Sequence, residues 1–376
     1  MKKSFGLVLR VLIVIPFSYI ALTCFSQTDS VEIQYDTVPA RRVVEITGVG
    51  DIMLGTSFPS RKYLPPHDNP LLLLEHLIDS LSSSDITFGN LEGSFLNNGD
   101  PAKKCRDTTI CYLFRMPEKY ISALIAAGFD IISLANNHFG DFGLPSRIRS
   151  MEILDSTGIY YAGLLEYPWS VFTRDSLIYG FCAFAPNEGT VNINDTARAG
   201  EIVRYLSDTC DIVIVSIHGG AEGADFERVP KTVEIFYGES RGDVHDFAHR
   251  MIDNGADIVF GHGPHVTRAI EVYKERFISY SLGNFCTYGR FNLAGPNGIA
   301  PVVKIKVDSE GRFISGRIIP VYQLWEGGVR YDNNKRVIKK IQELMNLDFP
   351  DSLITLSDDG EIYYKKKGYA LQGKAN

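Results

Sequence analysis

Residues 255–265 read GADIVFGHGPH. Positions 257–260 form a short apolar run rich in β-branched residues, the mark of a buried strand. An amphipathic helical pattern over 243–253 precedes it and ends near Gly255. Two histidines, His262 and His265, follow at once among glycines and a proline. Helix, short strand, then polar residues at the strand's carboxyl end is the repeating unit of an α/β fold. Ligand sites in open α/β sheets gather at those carboxyl ends.

The same unit recurs outward along the chain. Strand-like runs fall at 43–53, 85–90, 130–135, 177–185, 211–217 and 277–282. Helical patterns alternate with them. One covers 71–81 after Asn69-Pro70, a cap followed by a first-turn proline. Others cover 117–127 before Gly128, 144–156 before Gly158, and 197–206. Beyond Pro301 the pattern changes. Runs 302–307 and 313–320 flank Ser309-Glu310-Gly311, a hairpin signal. A charged amphipathic helix over 333–345 and a turn at Asp358-Asp359-Gly360 complete a C-terminal extension, 331–376, without a chemical motif. No internal repeat is present.

The 376 residues are 45% hydrophobic and 22% charged, enough for a sizeable core and too apolar for a disordered chain. The net charge is −7. Residues 1–26 carry Lys2, Lys3 and Arg10 and no acid, so the remainder stands at −10. An acidic body lacks the clustered Lys and Arg that phosphate neutralisation needs, and no nucleic-acid partner is expected.

Lys2 and Lys3 precede an apolar stretch over 11–25, interrupted by Pro16 and Ser18; polar residues follow from Ser26. The stretch is short of the ~20 residues of a membrane span. A cleaved export signal over 1–26 is therefore expected, with the protein in the periplasm or at the cell surface. A retained anchor and lipidation at Cys24 are the alternatives. Ala21-Leu22-Thr23 fits the lipidation motif poorly. Export permits a disulfide between Cys105 and Cys111 in the loop CRDTTIC; two unpaired thiols are the other reading. Cys182 and Cys210 sit in apolar runs and read as buried.

The chemistry-bearing residues fall where strands end: Asp51, Asn90 and Glu92, Asn136-Asn137-His138, His218, and the pair His262 and His265. Asp, Glu, Asn and His together suit divalent metals of intermediate hardness such as Mn, Fe or Zn. Each alone has a plain structural reading: a helix cap, a turn, a satisfied core histidine. Recurrence at five strand ends in chain order points to one metal centre.

GDIMLG, NLEGSF, ANNHFGD, HGG, GADIVFGHGPHV and YSLGNF occur in this order. Over residues 43–325 the chain resembles the CapA capsule and poly-γ-glutamate synthesis proteins of the calcineurin-like metallophosphoesterase superfamily. The resemblance implies an αββα sandwich, two mixed sheets flanked by helices. It implies one or two divalent ions held by Asp51, Glu92, Asn137, His218, His262 and His265. It also implies that His138 is the catalytic histidine, beside the metals without being a ligand. The closing histidine pair is spaced one residue wider than usual in the superfamily. The position two residues after Asp51, usually histidine, is Met53, a soft and weak ligand. One metal position thus loses a ligand, so either one ion binds loosely or the site is mononuclear.

Arg268, in VTRAIE, is either a clamp for an anionic substrate or half of a surface ion pair. Asn284 orients a ligand or holds its own loop. Residues 222–241 form a lid or pack on the surface. The RGD tripeptide at 241–243 reads as a helix start, with Asp243 at the N-terminus. Two functions fit. One is an exported metal-dependent hydrolase of capsule or poly-γ-glutamate biosynthesis, acting on a phosphoester or a γ-glutamyl amide. The other is a non-catalytic envelope protein that binds an anionic surface polymer, its precursor, or envelope synthase subunits.

Overall fold

The computed structural model describes residues 42–104, 111–324 and 327–364. The expected signal segment and Cys105, one half of the expected Cys105–Cys111 pair, fall outside that set. Among the described residues no helix is long and apolar enough to cross a membrane.

The expected first strand is present as Val43–Met53, in the middle of a ten-stranded mixed sheet. Ile86–Leu91, Ile131–Ser133 and Tyr160–Ala162 follow on one side, each parallel to its neighbour. On the other side Ile299–Asp308 pairs antiparallel with it and then with Phe313–Leu324, the expected hairpin. Asn284–Thr287 joins the end of the first strand in parallel. The C-terminal strands Ile354–Leu356 and Glu361–Tyr364 extend the edge of this same sheet.

The second sheet has six strands. Leu177–Phe184, Ile212–His218, Ile258–His262 and Arg276–Ser279 run parallel through its centre. Trp169–Arg174 and Ile270–Tyr273 close its two edges antiparallel. The near-continuous burial of the central strands fits a sheet covered on both faces.

The sheets stack through aromatic side chains. Phe88 of the large sheet lies 5.1 Å from Phe260 and 5.7 Å from Phe181 of the small one. Gly48 permits this approach: a Cβ there would stand 2.5 Å from the Phe260 ring. Outside the large sheet, Leu71–Leu74, Ile78–Ser82, Ile121–Ala126 and Gly143–Thr157 bury leucines, alanines and isoleucines in a separate apolar cluster. Thr196–Ser207 and Val244–Asp253 cover the small sheet. The layering is αββα. The expected helix 71–81 is two short pieces, yet Leu73, Leu74, Leu77 and Leu81 still all face the core.

Candidate metal centre

Strand register places the candidate ligands side by side. Asp51 is opposite Asn90 on one side and Asn284 on the other. In the facing sheet His262 is opposite His218. Two glycines let backbones close at this crest. A Cβ on Gly50 would lie 1.9 Å from the Gly283 carbonyl oxygen, and one on Gly261 2.2 Å from that of Tyr280.

Asp51 is the hub. Its Oδ1 accepts from Asn90 Nδ2 at 2.9 Å and lies 3.2 Å from His262 Nδ1. Its Oδ2 lies 3.1 Å from His265 Nδ1, which is also 3.1 Å from Asn284 Oδ1. The other ring nitrogen of His265 is 3.6 Å from Glu92 Oε1. Donor atoms of Asp51, Glu92 and His265 lie within 4.8 Å of one another.

Several buried polar atoms here have no hydrogen-bond partner: both carboxylate oxygens of Glu92, Asn137 Oδ1, His218 Nε2 and His262 Nε2. Buried polar groups are rarely left unsatisfied, because each costs on the order of 1–3 kcal/mol. Four of the six expected ligand residues thus hold donor atoms in need of a partner. A divalent ion satisfies carboxylate, amide oxygen and imidazole together, so the residues fit the implied metal.

Electrostatics agree. Burial opposes ionisation of Asp51, but hydrogen bonds from His262 and His265 hold its carboxyl below the usual range. Burial pushes Glu92 well above its usual range, against the pull of His265. Burial works against charge on His265, but Glu92 and Asp51 push it up to about 10. Burial pushes His218 well below the ordinary imidazole value, leaving it neutral, the form that binds metal.

His138 stands at the edge of this cluster. Its Nδ1 is 2.9 Å from Asp141 Oδ2, and its Nε2 is 4.0 Å from Glu92 Oε1. Asp141 Oδ2 also accepts from Phe114 N, and the Phe114 ring lies 4.3 Å from the imidazole. The carboxylate fixes the ring so that Nε2 faces the cluster. An open cavity of about 1020 Å³ is lined by His138, Asn137 and His265. Lys103, Arg147, Arg241 and Arg290 line it too.

Asp51, Glu92, His262 and His265 therefore converge, with His218 linked to Asp51 through Asn90, whose Nδ2 is 3.5 Å from His218 Nδ1. Asn137 and His138 line the same cavity. Asn284 positions His265; its amide also donates to Asn297 O. The clamp reading of Arg268 is corrected. Its guanidinium is fully buried and makes a two-pronged ion pair with Glu234 at 2.7 and 2.8 Å, so it faces no substrate. Met53 packs in the apolar cluster, and its sulfur accepts from Gly55 N. Within 222–241, Glu222, Tyr237, Glu239 and Arg241 wall the cavity. Asp243 caps Val244–Asp253 through bonds from His245 N and Asp246 N, as the helix-start reading expects.

Two residues of the site went unassigned in the sequence: Asp141 and Arg241. Asp141 carries a signal, three residues after His138 in one motif. Arg241 carries none, since only the fold brings it to Glu222 and the cavity.

A CapA capsule biosynthesis protein of Bacillus anthracis is 28% identical over 260 residues, 64% of this chain and 59% of that protein. The chain thus spans well under two thirds of that relative's length. A PGA biosynthesis protein CapA of Bacillus subtilis is 24% identical, over 73% of this chain and 72% of that protein. Among solved structures, the NAD nucleotidase of Haemophilus influenzae aligns with a TM-score of 0.42 and 12% identity. That alignment covers 85% of this chain and 65% of that one. Residues 45–173 and 182–288, which include every expected ligand, match the profile of a single family. By that match the chain belongs to the bacterial capsule synthesis protein family PGA_cap.

Proposed function

We propose that this protein is an exported, metal-dependent hydrolase of capsule or poly-γ-glutamate biosynthesis. Its substrate is a phosphoester or γ-glutamyl amide in the making of an anionic surface polymer. The carrying observation is the set of orphaned donor atoms on Glu92, Asn137, His218 and His262, beside the Asp51–His265 pair.

A divalent ion held there by Asp51, Glu92, Asn137, His218, His262 and His265 would lower the pKa of a water and polarise a phosphoryl or acyl oxygen. The protein supplies the rest. Asp141 holds His138 by Nδ1, so Nε2 is the atom that hands a proton to the leaving oxygen or nitrogen. Asn284 and Asp51 fix the His265 ring. Arg241, buried against Glu222 and Glu239, and Arg290, set over the Tyr63 and Tyr112 rings, bring positive charge to the cavity wall. The open shape suits one stretch of a long polymer.

Metal analysis of purified protein, then a panel of phosphoesters and γ-glutamyl peptides, tests this. Bound Mn, Fe or Zn with turnover of one class is expected. Full-length folded protein that takes up no divalent ion would overturn it.

One observation favours a binding role. Met53 stands where the superfamily has a histidine, and its sulfur is turned into the core. In that reading the cleft binds the polymer or synthase subunits without cleaving anything. Metal uptake without turnover across the panel would select it.

A further inference from the structure

The geometry points to a second metal site, built by His245, His249 and Glu271 and suited to a zinc-class ion. Nothing in the proposed function depends on it. The sequence His245-Asp246-Phe247-Ala248-His249 puts two imidazoles four residues apart on the helix Val244–Asp253. That spacing stacks them on one face, and their ring centroids are 4.1 Å apart. Glu271 reaches the same face from the edge strand Ile270–Tyr273. Its Oε2 is 2.9 Å from His249 Nε2. One donor atom from each of the three residues fits within 4.8 Å of the others. A tetrahedral zinc with bonds of ~2.0–2.1 Å holds its ligand atoms roughly 3.3 Å apart, so small side-chain rotations suffice.

The surroundings are those of a supported ligand set. Tyr280 donates its hydroxyl to Glu271 Oε2 at 2.6 Å and fixes the carboxylate. Tyr273 stacks on His249 at 3.8 Å, and Tyr280 and Phe349 flank His245, each at 5.9 Å. His249 and Glu271 keep 21% and 15% of their side-chain surface exposed, so an ion can enter and keep a water as its fourth ligand. None of the three residues lines the large cavity. Asp246, the carboxylate inside the H-D-x-x-H run, is paired with Arg250 and supplies no base. An ion held there would tie the helix to the edge strand.

The test uses the mature chain and zinc alone, in a Glu92→Ala background that disables the first centre. Zinc is titrated by calorimetry, and cobalt is substituted to read tetrahedral ligation from its visible absorption. One zinc per chain and a cobalt band are expected. Adding His245→Ala should weaken binding by more than about a hundredfold, beyond the ~10–100-fold that loss of an outer-shell partner costs, and abolish the band. Glu271→Gln keeps the shape of the carboxylate and should weaken zinc similarly, which guards against misfolding of the alanine variant. Equal zinc affinity in the Glu92→Ala protein with and without either second change overturns the proposal.

Discussion

Asp141 and Glu92 touch His138 from opposite ends, and the two contacts imply different losses. His138→Ala should remove a proton donor and leave the ligands in place. General acid catalysis is worth roughly 10²–10⁴-fold, so turnover should fall by that order with metal content unchanged. Glu92→Ala should release metal, and activity with it. Metal analysis beside steady-state rates separates the two; full activity in His138→Ala would remove the residue from the mechanism. A pH effect follows from the same site. His265 is raised to about 10, so at neutral pH the metal-free site holds a proton that ligation must displace. Affinity should therefore rise with pH, by up to about tenfold per unit for each proton released. Calorimetry in buffers of different ionisation heat would read that release, and a pH-independent affinity would refute it. Residue types at strand ends made this cluster legible in the sequence. Asp141 was partly legible, since it shares a motif with His138. Arg268 stayed open between clamp and ion pair because Glu234, its partner, lies 34 positions away in a segment without a pattern.

At the scale of elements, two glycines carry the crest. Gly50 precedes Asp51, and its Cα faces the Gly283 carbonyl so closely that no side chain fits. The obstacle is backbone, which cannot rotate away. The same contact carries the Asp51 N–H to Gly283 O bond at 2.9 Å, so strain there shifts the hub residue itself. Gly50→Ala should cost at least the ~1–3 kcal/mol typical of overpacking, and should loosen metal binding as well. Denaturant midpoints and metal affinity measured together check it; a wild-type midpoint would show that the strands can part at no cost. The central strands were legible because their apolar runs are short and bounded; the edge strands Tyr160–Ala162, Trp169–Arg174 and Ile270–Tyr273 were not. Helix 71–81 was read as continuous because its leucine spacing is helical; the break falls between Leu74 and Ile78 and leaves that spacing buried. The pairing of Asn284–Thr287 with the first strand was not legible, since no local pattern encodes a partner 233 residues away, as Asp51 and Asn284 are.

The whole molecule is acidic, at −7, while its cavity presents Lys103, Lys104, Arg147 and Arg290 in addition to the paired Arg241. Glu188, Glu222 and Glu239 border the same space, the last two both bonded to Arg241, so five cations face three carboxylates. The surplus at the cleft is therefore positive on a negative body. Such focusing repels a polyanion from most of the surface and draws it to one place. Lys103 sits 3.5 Å from Asp141, close enough to report on the His138 side of the cleft. If the substrate is a polyanion, binding of poly-γ-glutamate should weaken steeply as salt shortens the screening length from about 10 Å at 0.1 M toward 3 Å at 1 M. Arg290→Ala should weaken binding at low salt and flatten that dependence, because it removes a cation that lines the cavity over the Tyr63 and Tyr112 rings. Reversing one exposed lysine far from the cavity, Lys274→Glu, should change little. Fluorescence anisotropy of a labelled polymer across a salt series measures all three. A salt-independent affinity, or an equal loss in Lys274→Glu and Arg290→Ala, would mean that the cleft does not select its ligand by charge.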